Sequence, residues 1–168
     1  MTRTRPALTM YHPNGNGTGS ALRLELHPAH DDTAGSIMAT FATQLTIRDC
    51  IGSVPVYPRF DWKGAITVRL DFTDISKMLQ VFRGECESLE DGRGLFHKST
   101  RGTTKIMLRH IVEPIYGYML EVCRNMRDSD DSNARIFLSP SEALGLTAAI
   151  ESSMGVICFG IPMVIPNV

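Results

Sequence analysis

Two hydrophobic periods organise the chain. From Ala21 to Leu26, Leu22, Leu24 and Leu26 alternate with polar residues, the pattern of a half-buried strand. A second strand is predicted from about Ser36 to Gln44, with Ile37, Ala39 and Phe41 on one face. After an irregular stretch broken by Gly52, Pro55 and Pro58, strict alternation returns at Ile66, Val68, Leu70 and Phe72. The period then lengthens. Ile75, Met78, Leu79 and Phe82 recur at helical spacing behind Thr73 as N-cap, with Asp74 in the first turn and Gly84 at the end. The second half repeats the plan. A short strand is expected from Gly94 to Ser99, a longer one from Thr104 to Val112 with Ile106 and Leu108 inward, and another ending near Arg124 with Leu120 and Val122 inward. A polar loop at residues 128–133 precedes a final strand, Ala134 to Leu138. Ser139-Pro140-Ser141-Glu142 then forms a capping box with Pro at the first helical position. Ala143, Leu146, Ile150 and Met154 follow at helical spacing, and Gly155 is the expected stop.

Strands come in runs, each closed by one helix. The fold class is therefore α+β, with mostly antiparallel sheets. We expect one domain over residues 1–168, built from two repeats at about 11–84 and 93–155, and an apolar tail at 156–168. Each helix is expected to cover its own sheet. The segment from Tyr11 to Ser20 is rich in Gly and Asn and reads as a flexible turn. Its glycines precede a strand, not a helix, so they lack the context of a phosphate-binding loop.

Composition narrows the function classes. Apolar residues make up 43% of the 168 and charged residues 21%, ordinary values for a globular protein. The net charge of -1 excludes binding of nucleic acid by bulk positive charge, so any such site must be a local patch. Cys50, Cys86, Cys123 and Cys158 lie too far apart in sequence for a C-x-x-C motif and are read as reduced, mostly buried residues of a cytoplasmic protein. Met1 to Pro6 is followed by no apolar stretch, so no signal peptide is expected, and no apolar run reaches about 18 residues. His27, His30, Asp31 and Asp32 read as a surface loop, with no metal and no cofactor expected. No nucleophile elbow or acid–base constellation stands out, which leaves an enzyme with the least support.

The local patch lies between residues 93 and 112. It holds Arg93, Lys98, Arg101, Lys105 and Arg109 with His97 and His110, and no acid. Lys105, Met107 and Arg109 share the face opposite Ile106 and Leu108. In the first half, Lys63, Ala65, Thr67 and Arg69 fall on the corresponding open face. Phe96, Tyr118, Trp62 and Tyr57 are near enough in sequence to offer flat rings for bases. The plainer reading is a solvated, edge-protecting face. Trp62 reads better as a packing residue, Tyr118 is in phase with buried Leu120 and Val122, and Phe96 fits either role.

Phe60-Asp61-Trp62, the strand Ile66 to Phe72, the helix Thr73 to Arg83, Phe96-His97, Lys105 to Ile111, Tyr118 to Cys123 and Arg135-Ile136-Phe137-Leu138-Ser139 follow one another in an order that resembles the Whirly family of single-stranded-DNA-binding transcriptional regulators. The resemblance covers most of residues 11 to 155 and places the family within the positive-cofactor-four-like fold group. It implies two four-stranded antiparallel sheets, each followed by a helix, a homotetramer, and single strands lying along outer sheet faces. Where that family often carries Lys-Gly-Lys-Ala-Ala-Leu, this chain has Gly17-Thr18-Gly19-Ser20-Ala21-Leu22. The expected function is thus non-catalytic binding of single-stranded DNA in transcription, replication or repair. The expected site is Lys63, Thr67, Arg69, Phe96, Lys98, Arg101, Lys105, Met107 and Arg109. Single-stranded or guide RNA on the same surface, or an oligomeric scaffold without nucleic acid, are the alternatives. A tetramer is expected ahead of a dimer, with the helices and the apolar tail at the subunit contacts.

Overall fold

A computed structural model describes residues 7–51, 54–127 and 130–161, with the side chains of Cys50 and Ile51 excepted. The first sheet is antiparallel, with strands in the order β1 (Ala7–His12), β2 (Ser20–His27), β3 (Ser36–Thr43) and β6 (Ile66–Leu70). A small hairpin, β4 (Asp49–Ile51) with β5 (Val54–Val56), interrupts it. Helix α1 (Phe72–Phe82) follows. The second sheet has the order β10 (Ser132–Leu138), β9 (Gly117–Met126), β8 (Gly102–Ile111) and β7 (Leu95–Ser99). Helix α2 (Pro140–Phe159) follows β10. The architecture is α+β, with two four-stranded antiparallel sheets and two helices.

The alternating residues point where their period places them. Leu22, Ile37, Ala39, Phe41, Ile66, Val68 and Leu70 are buried from the first sheet. Ile106, Leu108, Tyr118, Leu120, Val122, Ala134, Ile136 and Leu138 are buried from the second. These side chains form one core, not two. Strand β10 packs across β2, β3 and β6, so the inner faces of the sheets meet directly. The helices serve both sheets: α1 lies against β6 and β8, and α2 against β2, β9 and β10. Each helix covers its own sheet, as expected, and reaches the other sheet as well. Arg124 fastens the halves, its guanidinium donating to the Thr67 carbonyl of β6 and, at 3.2 Å, to the Thr104 hydroxyl.

Three local expectations change. Phe72 is not on a strand face; it is the first residue of α1 and is exposed. The N-cap is Asp71, not Thr73: the Asp71 carboxylate accepts from the Asp74 amide at 3.0 Å, and Asp74 accepts from the Asp71 amide at 3.3 Å. This earlier cap ends the strand period at Leu70. Gly155 does not stop α2, which runs to Phe159 and ends at Gly160, where φ is 75°. The carbonyls of its last turn are satisfied from outside: Val156 accepts from the Ala29 amide and Ile157 from the Gly35 amide, each at 3.1 Å. That support outweighs the roughly 1 kcal/mol cost of glycine within a helix. The tail beyond Ile161 and residues 128–129 of the polar loop lie outside the described residues. Of the described cysteines, Cys86 and Cys123 are half-buried and Cys158 is exposed, so the expectation of mostly buried thiols does not hold for these three.

The segment leading into β2 is locked, not flexible. Buried Gln44 accepts the Asn14 and Gly19 amides at 2.9 and 3.1 Å and donates to the Asn14 and Thr46 carbonyls at 3.0 and 2.9 Å. A Cβ on Gly19 would stand 2.2 Å from the Gln44 side-chain oxygen and 2.3 Å from the His12 backbone carbonyl, so glycine is required by close approach.

The end of β1 is tied to α2. Glu142 accepts from His12 Nε2 at 2.6 Å, from the Ser139 hydroxyl at 2.7 Å and from the Ser139 amide at 2.9 Å. Burial pushes its carboxyl upward, but the Ser139 and His12 hydrogen bonds together hold it below the usual value of 4.5. A carboxyl lowered in the folded state contributes stability above its unfolded value and loses it as pH falls through the folded value. Urea titrations from neutral pH to below 4.5 should therefore show the wild-type protein losing stability more steeply than Glu142→Gln. Parallel curves would remove this carboxyl from the acid response.

Candidate nucleic-acid interface

With both inner faces buried in a common core, the outer faces of the sheets are left to solvent. Strand register places their side chains in rows. On the second sheet one row holds Phe96, Lys105, Cys123 and Asn133. The next holds Met107, Glu121 and Arg135, and the next Arg109, Met119 and Phe137. Lys98 and Thr103 pair at the β7–β8 end. Phe96 is exposed, with Lys105 Nζ 5.4 Å from its ring centroid. A cation over an aromatic face holds both groups without using the outer side of the ring. Arg109 reaches Glu121 at 3.7 Å, and Arg135 is the direct cross-strand neighbour of the same carboxylate. Among the described residues this face thus combines Lys98, Lys105, Arg109 and Arg135 with two acids, Glu121 at its middle and Asp131 at its edge, where Asp131 accepts from Asn125 at 2.9 Å.

Several expected site residues come together here: Phe96, Lys98, Lys105, Met107 and Arg109. Arg101 sits in the β7–β8 turn at the edge of the same face, its amide bonded to the Ser99 hydroxyl at 3.3 Å. Arg93 lies off the sheet, its guanidinium 3.2 Å from the Glu90 carbonyl. His97 and His110 belong to the inner face. His97 meets Asp74 of α1 at 2.9 Å, and the His110 ring packs on Tyr116 and Tyr118. Tyr118 cannot stack on a base, because it is buried against Phe82 with its hydroxyl donating to the Phe82 carbonyl at 3.2 Å.

On the first sheet, Thr67 and Arg69 are exposed on the outer face. Thr67 shares a 3.0 Å hydroxyl hydrogen bond with its cross-strand partner Thr40, and Arg69 donates to the Ala34 carbonyl at 2.8 Å. Lys63 is not part of this strand; it occupies a bend before β6, where the Gly64 amide bonds Asp61 at 2.9 Å. Trp62 is not a core residue. It is exposed and meets Tyr11 edge-on at 6.2 Å between ring centroids, while Phe60 meets Tyr11 at 5.4 Å. Tyr11 is the cross-strand neighbour of Ala21, so this ring cluster stands at one corner of the outer face. Tyr57 is exposed as well.

Sequence reasoning missed Arg135, Phe137, Glu121, Tyr11 and Phe60 as members of these faces. The signal for the first three was their phase: each alternates against buried neighbours on its own strand. Tyr11 was hidden by the glycines after it, which made β1 read as turn.

No family model and no curated protein matches the sequence. The fold is matched by solved structures. WHY1 from Arabidopsis thaliana superposes with a TM-score of 0.71 at 15% identity, over 95% of this chain and 88% of that one. WHY3 from Arabidopsis thaliana gives 0.69 at 16%, over 94% and 90%. The plant transcriptional regulator PBF-2 gives 0.67 at 18%, over 94% and 84%. The chain has a Whirly-like fold. At such low identity the likeness concerns backbone architecture, and the Whirly-like sheets here carry this chain's own choice of cations and rings.

One packing detail fixes a ring of this surface. Phe137 lies over Gly117, where an added Cβ would stand 2.4 Å from the ring and 2.5 Å from the Leu138 carbonyl. Gly117→Ala should displace both, at a cost of about 1 to 3 kcal/mol. A urea midpoint equal to wild type would show that the Phe137 ring does not depend on this packing.

Proposed function

We propose that this protein binds single-stranded DNA, without catalysis, on the outer faces of its two sheets. The observation that carries the reading is the uncovered face of the second sheet, where Lys98, Lys105, Arg109 and Arg135 stand among the Phe96 and Phe137 rings. Cations hold phosphates, and rings stack on bases whose faces are free only when the strand is unpaired. The Tyr11, Phe60 and Trp62 cluster with Thr67 and Arg69 provides a second stretch on the first sheet. The Whirly-like fold supports the reading, since one of its solved examples is a transcriptional regulator. A role in transcription, replication or repair follows from the same proposal.

Fluorescence anisotropy with labelled oligothymidine tests it. Binding should favour single strands over duplex. Phe96→Ala should weaken it by at least about fivefold, since one stacked base is worth roughly 1 to 3 kcal/mol. Changing Lys105 and Arg109 together to Ala should flatten the dependence of log K on log salt by about 1.4, or about 0.7 for each phosphate left without its cation. Equal competition by duplex would overturn the stacking mechanism, and a matched RNA strand that binds better would move the assignment to RNA.

We further propose a homotetramer assembled through α2. Its outer side shows Leu144 and Phe159 at 73% and 89% exposure, beside Gly145, Ala148, Ser152 and Gly155, and Ile161 just past its end is 65% exposed. Among the described residues of this helix, Glu142 and Glu151 are the charged ones, and Glu151 is bonded to Arg83 at 2.9 Å. A long apolar strip without charges marks an association surface. Light scattering should give four times the 18.6 kDa chain mass, and a monomer would overturn the assembly.

A further inference from the structure

Away from Asp131 at its edge, the described outer face of the second sheet is cationic except at its middle. Glu121 stands there on β9, between Met107 on one side and Arg135 on the other. Its side chain is 18% exposed and its carboxylate lies 3.7 Å from the Arg109 guanidinium. A carboxylate at this position opposes phosphate binding. It is also a pure acceptor of hydrogen bonds. We infer that Glu121 is a specificity-determining residue that reads the edge of an unpaired base and favours guanine over thymine. The inference rests on the single-strand binding proposed above.

The placement of the rings supports it. Phe96 lies in the row on one side of Glu121, and Phe137 in the row on the other. The Phe137 ring leans away, over Gly117, so the surface between it and Glu121 is floored by Met119. A base lying on that floor turns an edge toward the carboxylate, while Arg109 and Arg135 flank the same spot and hold the phosphates on either side. In a single strand the pairing edge of the base is open. Guanine presents two adjacent donors there, N1–H and the N2 amino group, which match two carboxylate oxygens. Cytosine and adenine present one amino donor each, beside an acceptor. Thymine presents a single N–H between two carbonyls, which the carboxylate repels.

The test uses the full-length protein and a short oligothymidine strand, compared with the same strand carrying one central guanine or one central inosine. Inosine lacks the N2 amino group but keeps the O6 and N7 acceptors that arginine reads, so it separates Glu121 from its neighbours. The guanine strand should bind about fivefold more tightly than the thymine strand, with inosine between them. Glu121→Gln should erase the difference between guanine and inosine. Glu121→Asp keeps the charge but withdraws it toward the sheet, and should erase it too. If both variants change the affinity for all three strands by one common factor, Glu121 acts only through charge or by placing its arginines, and the inference fails. If the wild-type protein binds none of the strands, the proposed function itself fails, which is a different result. Unchanged melting of the variants shows that the sheet is intact.

Discussion

The structure depends on a single constraint: each sheet has one apolar face, and both apolar faces are used up against each other and the two helices. Strand β10 lies across β2, β3 and β6, and Ile136 and Leu138 enter the same core as Leu22, Phe41 and Val68. Because β-strand side chains alternate, committing one face inward dictates what stands on the other. The cations and rings outside are where they are because the aliphatic residues between them are inside. Arg124 shows the rule from the other direction. It is a cation on the inner side, and it is tolerated there because the Thr67 carbonyl and the Thr104 hydroxyl take its hydrogens.

Much of this was legible in the residues. The strands of both sheets that carry clean alternation, β2, β3, β6, β8 and β9, appear where their periods put them, with the expected side chains inward apart from Phe72. The two helices begin at strong caps, and the Ser139–Glu142 box is present as read. What escaped had a physical reason in each case. Strand β1 is an edge strand without clean alternation, held by pairing to β2 and not by its own pattern. The β4–β5 hairpin is three residues a side and contains a proline. The end of α2 was set by amides from the β2–β3 loop, a tertiary effect invisible to propensity.

The site was legible by type more than by composition. Lys105, Met107 and Arg109 were read as outward-facing, and they are. Yet the charge count along the chain counted His97 and His110 with them, though both face inward, and left out Arg135, which lies two strands from Lys105. Proximity in sequence along β7 and β8 was mistaken for proximity in space. Strand pairing brings Glu121 and Arg135 to the same row, and register is a property of the folded sheet. Trp62 escaped for a related reason: a large apolar ring suggests a core, but the bend at Asp61 to Gly64 carries it out beside Tyr11.

The Gln44 amide has a consequence for how quickly a ligand can be captured. All of its hydrogen bonds are made within the free protein, so the loop behind Tyr11 is set before any ligand arrives. A surface of that kind forfeits little chain entropy on contact, and encounters there succeed without waiting for a loop to fold. Being uncharged, the latch is also indifferent to ionic strength. Under the proposed binding, high salt would then loosen the hold of the arginines on phosphate while leaving the shape they are mounted on unaltered.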